Sequence, residues 1–371
     1  MAATGMDDAI KRWQAFCQGI SAAGTDILQS AQQVDDLSQA EGLRYLTRLL
    51  RSGIEKFVEY SDPADPCLAN VYNTHLKWGL DNPDSLYALA YIDGRREYVV
   101  TGNIGTVNYF NFTTTTMATT AKYDIIGVLD SPDVKADANG NFTIYIGGPK
   151  RDSNWVALNP DSNSLLVRQT FIDRSKEKEV TFAIKLVADG ARNAPLNMQQ
   201  SLARSEQAQT FFANTGSTFV KLTQTINSEM NRLILVDQQL MLSMGGDPNY
   251  AYFWGGYDLQ PGEALLIHFP DVPHTETWGL CLYNYWLESL DYTKARINLN
   301  KNLAVHNPDG SLTIVVSDEK PAQGNWLDTL GHRRGSIMSR WIKPERVVLP
   351  LCEVVRLEGV NWPEKLQRWE R

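Results

Sequence analysis

Long hydrophobic runs and the common catalytic motifs are both missing from this chain of 371 residues. No window reaches about 18 apolar residues, the length that a bilayer requires, so we expect no membrane span. Residues 1–8 lack a basic stretch followed by an apolar run, so we expect no secretory signal. The GxSxG elbow, the P-loop, the GxGxxG loop and the HExxH helix are absent as well, so no enzyme class is indicated by motif.

The charge and the cysteines exclude further classes of protein. A net charge of −8 without a Lys/Arg-rich patch argues against a nucleic-acid partner. The four cysteines are far apart in the sequence and form no CxxC pair, which is typical of reduced thiols in a cytoplasmic protein. They are Cys17, Cys67, Cys281 and Cys352.

The five histidines show no spacing typical of a metal site. They are His75, His268, His274, His306 and His332. The tightest pair, His268 and His274, is separated by Pro270 and Pro273, which interrupt the strand that would have placed both on one face. We therefore predict neither a metal nor a cofactor, and a metal site at this pair is the less favoured alternative.

Two segments of the chain resemble each other. Residues 137–155 and 307–326 both contain a turn glycine, a Thr-Ile pair, a lysine and a terminal Asn-Trp pair. Asn154 precedes Arg168 by 14 residues and Asn325 precedes Arg340 by 15. We expect each asparagine to bond to the backbone, with the adjoining Trp155 or Trp326 largely buried.

Further matching residues lie upstream of the two segments. Pro83, Tyr87 and Asp93 match Pro248, Tyr252 and Asp258 at a constant offset of 165, and residues 110–112 match residues 283–285. A period near 170 residues is too long for a solenoid and indicates a duplicated domain. Chance similarity between strand–turn–strand segments is the alternative.

The hydrophobic pattern changes along the chain from helical to strand-like twice. Helical spacing covers the first 60 residues and about 197–243, whereas short β-branched and aromatic runs with glycine turns cover 85–187 and 250–357. A polar interval at 188–195 separates the first strand region from the second helical one. We predict an α+β, β-dominated fold of two related antiparallel β-sandwich or jelly-roll units, each preceded by helices. The predicted division is a helical segment at 1–80, a first β unit at 81–190, a helical connector at 191–245 and a second β unit at 246–371.

The densest cluster of aromatic and polar residues lies at 277–292. Alternation along a strand would place four of them on one face: Trp278, Asn284, Trp286 and Glu288. Such a face resembles the wall of a ligand pocket, and Tyr283 and Tyr292 complete the predicted lining. The alternative is that the tryptophans belong to the core, that Asn284 satisfies a buried backbone group and that Glu288 is solvated at the strand end.

A second cluster lies at 324–341. Asp328 and His332 are four residues apart, close enough for the carboxylate to orient the imidazole, and Arg340 would stabilise negative charge. Together with Glu288 they form a candidate acid/base set. The alternative is a structural network in which Arg340 pairs with Asp328. Because the first half has no counterpart of His332, we assign any chemistry to the second half.

Several of these segments are similar to a bacterial family. The chain resembles domain-of-unknown-function family 1214, often paired with family 1254, and the resemblance is strongest over 250–345. It is carried by residues 41–50, 283–292, 307–316 and 321–329 and by the pair Arg340 and Trp341. The resemblance implies a β-sandwich or jelly-roll C-terminal domain. Members of this family often occur near lipid, steroid or xenobiotic catabolism, which implies a hydrophobic small-molecule ligand. The family has no assigned reaction.

Two functions from different classes fit these observations. The favoured one is a cytoplasmic, cofactor-independent acid/base enzyme, a hydrolase, lyase or isomerase, acting on a hydrophobic small molecule. The alternative is a ligand-binding or assembly protein without catalysis, whose aromatic faces pack subunits into a homo-oligomer.

Overall fold

The structure is a computed structural model that describes residues 5–31, 34–117, 123–187 and 196–367. The predicted interval at 188–195 lies outside the described residues. The chain forms two compact units. The first consists of Met1–Val34, Gly42–Leu76 and Ser85–Thr218, and the second of Asp35–Glu41, Lys77–Asp84 and Phe219–Arg371. Each of the two predicted helical segments, 1–80 and 191–245, is therefore divided between the units.

The longer helices occupy the two regions in which the sequence has helical spacing, and one short helix follows the last strand. The helices are α1 Gly5–Gln29, α2 Asp36–Ile54, α3 Met198–Ile226, α4 Gln238–Ser243 and α5 Trp362–Lys365, with a π-helical turn Glu55–Glu59 directly after α2. The Asp35 carboxylate begins α2 by accepting the N–H of Ser38 at 2.8 Å, which satisfies one of the unpaired amides at that end. No helix in the described part of the chain is long and apolar enough to cross a membrane.

The first unit contains two sheets. The five-stranded sheet has the order β1-β2-β8-β4-β5, and the four-stranded sheet has the order β7-β6-β3-β9. The strands are β1 Ala69–Asn70, β2 Ser85–Tyr91, β3 Tyr98–Asn103, β4 Tyr109–Met117, β5 Tyr123–Asp130, β6 Asn141–Ile146, β7 Trp155–Val156, β8 Ser164–Thr170 and β9 Thr181–Leu186. Both sheets contribute to one hydrophobic core, in which Phe112 of β4 contacts Phe142 of β6 with ring centroids 5.7 Å apart. This arrangement is a β-sandwich.

The second unit repeats the same plan. Its five-stranded sheet has the order β10-β11-β17-β13-β14, and its four-stranded sheet has the order β16-β15-β12-β18. The strands are β10 Ile234–Leu235, β11 Tyr250–Asp258, β12 Glu263–Phe269, β13 Thr277–Tyr283, β14 Asn298–Asn300, β15 Leu312–Ser317, β16 Asn325–Asp328, β17 Arg334–Ile342 and β18 Leu351–Arg356. The α+β, β-dominated fold with two related units is thus confirmed.

The register of the strands agrees with the repeat. Tyr87 lies opposite Arg168 in the first unit, and Tyr252 lies opposite Arg340 in the second. One predicted match is wrong, namely that of residues 110–112 with 283–285. Arg168 also lies opposite Asn111 on β4, whereas Arg340 lies opposite Gly279 on β13, so Gly279 is the counterpart of Asn111.

The Asn-Trp pairs occupy equivalent positions at the start of β7 and β16. Asn325 exchanges two hydrogen bonds with the backbone of Val305 and donates a third to the carbonyl of Thr313 at 2.9 Å. Asn154 makes the same three bonds to Lys135 and Thr143. The bonding prediction is confirmed.

The two tryptophans are largely covered, as expected, without reaching the core. Each is partly exposed, because β7 and β16 are the outermost strands of their sheets. Each indole N–H still donates to the strand next to it, from Trp155 to the carbonyl of Gly147 and from Trp326 to that of Ser317. Each tryptophan therefore fixes its edge strand without joining the core.

Candidate active site

The polar end of the 277–292 cluster is a turn. Strand β13 ends at Tyr283, and residues 284–288 turn back so that Asn284 N–H donates to the carbonyl of Glu288 at 3.0 Å. The Asn284 side chain accepts the N–H groups of Trp286 and Glu288, both at 3.0 Å. Asparagine bonds of this kind compete with strand pairing. The single strand face predicted for Trp278, Asn284, Trp286 and Glu288 is therefore wrong beyond Tyr283.

This turn brings two carboxylates and an imidazole into one hydrogen-bonded cluster. The Asn284 amide nitrogen donates to Oε2 of Glu288 and to Oε2 of Glu41, each at 3.0 Å. Nε2 of His332 lies 3.1 Å from the same Glu41 oxygen. All four residues belong to the second unit. We call this set, Glu41, Asn284, Glu288 and His332, the Glu–His cluster.

The bonds of His332 define where its protons lie. Nδ1 is 2.8 Å from the carbonyl oxygen of Thr329, which only accepts, so Nδ1 carries a proton. Nε2 faces a carboxylate, so one further proton lies between His332 and Glu41. The pair is an ion pair when the imidazole holds this proton, and a neutral pair when the carboxyl holds it.

The Glu–His cluster is buried, so a charge within it loses its hydration and needs a partner. Glu288 is 0% exposed, Asn284 1%, His332 6% and Glu41 8%. Burial alone lowers the pKa of His332, but the hydrogen bond and the negative charge of Glu41 raise it by more, so the net pKa lies above the usual value. Buried charges persist only when they are paired and hydrogen-bonded, and Glu41 meets both conditions through His332 and Asn284.

Asp328 does not orient His332, contrary to the sequence-based expectation. Its carboxylate accepts the N–H of Leu330 at 2.8 Å, and the imidazole is held by the backbone of Thr329 and by Glu41. A tight turn explains the difference. His332 N–H donates to the carbonyl of Thr329, and Leu330 has a φ of 50°. The turn points Nδ1 at a carbonyl three residues back.

Arg340 lies in a second buried network. Its guanidinium donates to the Tyr283 hydroxyl at 2.8 Å and to the carbonyl of Leu80, and that hydroxyl donates to the carbonyl of Asp81 at 2.8 Å. The Asp81 carboxylate accepts both the N–H and the hydroxyl of Ser289. Burial raises the pKa of Asp81, and the charges of Lys77 and Arg340 oppose that rise. Arg340 and Tyr283 thus hold the Lys77–Asp84 segment.

The remaining residues predicted to contact a ligand lie in three places: beside the Arg340 network, near the Glu–His cluster and in the core. The ammonium of Lys77 lies 4.4 Å from the ring centroid of Tyr292, beside the Arg340 network. Trp286 lies near the Glu–His cluster, and its indole N–H donates to the carbonyl of Ser38 at 2.7 Å. Trp278 is a core residue that stacks on Trp341 with centroids 5.5 Å apart.

Two functional candidates were missed by the sequence reasoning, Glu41 and Tyr257. Glu41 lies 291 positions from His332, so no local spacing could connect them. Tyr257 is fully buried, and its hydroxyl has no hydrogen-bond partner among the described residues. Burial and then the charge of Glu41 raise the pKa of Tyr257, so the hydroxyl stays protonated and available to donate. Gly335 leaves room for it, because a Cβ there would lie 2.5 Å from that hydroxyl.

Metal ligation was tested on the donor atoms that the structure describes. Among these residues no group of three or more His, Cys, Asp or Glu side chains is arranged to hold a metal ion.

Comparison with known proteins finds a family match over part of the chain and a relative over nearly all of it. Residues 255–346 match the family described as "Protein of unknown function (DUF1214)". The chain thus contains a DUF1214 segment. An uncharacterised protein from Burkholderia cenocepacia, known from its crystal structure, is 38% identical with a TM-score of 0.91, and the alignment covers 94% of this chain and 98% of that one. A protein from Vibrio parahaemolyticus is 12% identical with a TM-score of 0.48, covering 90% of this chain and 100% of that one.

The DUF1214 match confirms the resemblance over 250–345, whereas the pairing with family 1254 stays a prediction. No curated protein matches the chain. The DUF1214 segment contains Tyr257, Asn284, Glu288 and His332, but Glu41 lies outside it. The Glu–His cluster is therefore completed by a residue from the Asp35–Glu41 segment of the second unit.

Proposed function

We propose that this DUF1214-containing protein is a cofactor-independent acid/base enzyme acting on a hydrophobic small molecule, with His332 and Glu41 as its proton-transfer pair. The observation that carries the proposal is the 3.1 Å contact between Nε2 of His332 and Oε2 of Glu41 in a buried, fully hydrogen-bonded cluster. An imidazole paired with a carboxylate exchanges a proton at low energetic cost, which general acid/base catalysis requires.

The other residues have distinct roles in this proposal. The carbonyl of Thr329 fixes the Nδ1 proton, so that Nε2 is the atom that gives or takes a proton. Asn284 links Glu41 to Glu288. The Glu288 carboxylate can therefore compensate the change in charge when the proton moves between His332 and Glu41. The Tyr257 hydroxyl is a donor for a carbonyl oxygen on which negative charge develops.

The class of reaction depends on whether the site contains an activated nucleophile. Burial raises the pKa of the Cys281 thiol far above its usual value, so it remains an unreactive thiol. Because Cys281 supplies no activated nucleophile, we favour proton transfer at carbon, as in a lyase or an isomerase, over hydrolysis through that thiol. The four free cysteines support a bacterial cytoplasmic setting, which is part of the proposal.

The second candidate is a binding or assembly protein without catalysis. The observation that favours it is the complete burial of Glu288 and Asn284, together with the position of Trp278 in the core. In that case the Glu–His cluster fastens the Asp35–Glu41 segment to the 284–288 turn, as the Arg340 network fastens the Lys77–Asp84 segment.

Hydrogen exchange at carbon tests the proposal without knowledge of the product. Hydrophobic carbonyl compounds that raise the melting temperature are first selected, since a ligand of the native state stabilises it. They are then incubated with the protein in D₂O, and deuterium uptake is measured by mass spectrometry. We expect uptake to fall by about 100-fold in His332→Gln.

The matched control is His306→Gln. His306 is exposed, and among the described residues its ring bonds only to its own turn, through the carbonyl of Gly310 at 3.1 Å. Its variant should exchange at the wild-type rate. Ligands that bind but take up no deuterium with the wild-type protein would favour the binding protein, and equal uptake by both variants would contradict the role of His332.

A further inference from the structure

Helix α1 carries an apolar stripe that is covered at one end only. Its members alternate at steps of four and three residues: Met6, Ile10, Trp13, Cys17, Ile20, Gly24 and Ile27. The carboxyl-terminal end is buried, where Gly24 lies against Leu46 of α2. The amino-terminal end is open, since Met6 is 66% exposed, Ile10 49% and Trp13 65%. We call Met6, Ile10, Trp13 and Cys17 the α1 stripe.

The α1 stripe faces away from the helix that lies beside it. The Arg12 guanidinium pairs with the Glu206 carboxylate of α3 at 3.2 Å, and Gly19 lies against Gln209 of the same helix. At about 100° per residue, Arg12 and Gly19 lie roughly 130–150° around α1 from the stripe. The stripe therefore points to solvent.

The spacing of the α1 stripe is that of a helix–helix contact. Apolar residues at alternating steps of three and four keep one side of a helix against a partner helix over several turns. From Met6 to Cys17 the stripe is about 16 Å long. A tryptophan buries about 150–250 Å², so the exposed part of Trp13 alone leaves roughly 100–160 Å² for a partner to cover.

The charges on α1 argue against a membrane surface as that partner. The amino-terminal half of the helix carries two acidic and two basic side chains, which cancel: Asp7, Asp8, Lys11 and Arg12. Arg12 is also held by Asp8 at 3.0 Å. Helices that lie on membranes have a polar face rich in lysine and arginine, and this balanced face does not attract anionic lipid.

The residues that border the α1 stripe fit a second copy of this chain. Ala9 and Gln14 lie beside the stripe and are uncharged, so two copies meet without repulsion there. In an antiparallel pair centred between Ile10 and Trp13, each indole packs on Ile10 of the other copy, and the small Ala9 leaves room for it. The two Asp7 side chains stay about 13 Å apart along the pair. The surface is thus self-complementary, as a two-fold contact requires.

We propose that two copies of this chain dimerise through the α1 stripe, antiparallel about a two-fold axis. The contact is small, because the eight side chains of two copies bury less than about 1,200 Å², the size range of weak, reversible complexes. The dimer therefore forms at micromolar concentrations. It is independent of the proposed function, since α1 belongs to the first unit and the Glu–His cluster to the second.

Sedimentation velocity of the full-length protein in a reducing buffer tests the proposal. The wild type should shift from monomer to dimer between about 1 and about 200 µM, the range over which a weak dimer dissociates. Trp13→Glu should raise the dissociation constant at least about 30-fold, because it removes the central aromatic side chain of the contact. Its melting temperature should stay near that of the wild type, since Trp13 is exposed.

The matched control is Leu43→Glu. Leu43 is 62% exposed on α2, near the end of α1 opposite to the stripe, where Leu46 lies against Gly24. This variant should dimerise like the wild type. The proposal is overturned by a wild type that is monomeric at about 200 µM, by unchanged dimerisation of Trp13→Glu, or by an equal loss in both variants. Binding of the monomeric wild type to phosphatidylglycerol vesicles, lost in Trp13→Glu, would assign the stripe to a membrane instead.

A cysteine cross-link tests the antiparallel orientation. Cys17 is an exposed thiol, and the proposed pair places it against Met6 of the other copy. In Met6→Cys combined with Cys67→Ser, oxidation by diamide should join the introduced thiol to Cys17 of the other copy, as identified by mass spectrometry of peptides. A link between the two introduced thiols would show a parallel pair and contradict the two-fold arrangement.

Discussion

Replacing Lys56 by methionine should stabilise the protein, and the gain should depend on pH. The fall of the pKa of Lys56 from 10.5 to about 7 corresponds, at 1.36 kcal/mol per pH unit, to about 5 kcal/mol of burial cost below pH 7. Between these two pKa values the unfolded chain binds a proton that the native state does not, so wild-type stability rises with pH. Above pH 10.5 the cost disappears.

Urea unfolding of the wild type and Lys56→Met at several pH values measures this difference. The advantage of the variant should be constant from pH 6 to 7 and shrink by about 3 kcal/mol between pH 7 and pH 9.5. The matched control is Lys150→Met, because Lys150 is exposed and its replacement should change stability little at any pH. An advantage of Lys56→Met that stays constant up to pH 9.5 would refute the account of a desolvated amine.

Two further predictions concern the second unit. Asn325→Ala should lower the free energy of unfolding by about 2–4 kcal/mol in urea, because buried backbone groups lose their partner, and the more exposed Asn154→Ala should cost less. By NMR titration the pKa of His332 should lie above the usual value, fall in Glu41→Gln and stay unchanged in Asp328→Asn. A raised native pKa also means that this ion pair stabilises the fold fully below about pH 6.5, and that the contribution is lost as pH rises through the native value.

The repeat was predictable because edge strands and their anchors have local signatures. The Asn-Trp pairs, the turns before them and the tyrosines opposite Arg168 and Arg340 occur in the same order at similar spacing, and the structure gives them equivalent partners in both units. The match of residues 110–112 with 283–285 failed because similar residue types, an asparagine between aromatics, occur on a strand in one unit and mostly in a turn in the other. Composition alone does not distinguish these cases.

The candidate site was predictable only in part, because one of its members comes from a distant segment. Asn284, Glu288 and His332 were selected from two clusters, and the structure brings them together. The sequence predicts Asp328 as the partner of His332 because the two are near in sequence, whereas a tertiary contact across 291 positions provides the carboxylate of Glu41. The alternation of residues along the predicted strand could not reveal that the Asn284 side chain bonds to the backbone of the following turn and so ends β13.

The most direct test of the proton-transfer pair compares deuterium uptake in Glu41→Gln and Asp328→Asn. With the ligand selected by thermal shift, Glu41→Gln should lose most of the exchange, because the amide cannot share the proton at Nε2 of His332. Asp328→Asn should exchange like the wild type, because within the described part of the chain the Asp328 carboxylate bonds only to the N–H of Leu330. Wild-type exchange in Glu41→Gln, or an equal loss in both variants, would contradict the assignment of His332 and Glu41 as the catalytic pair.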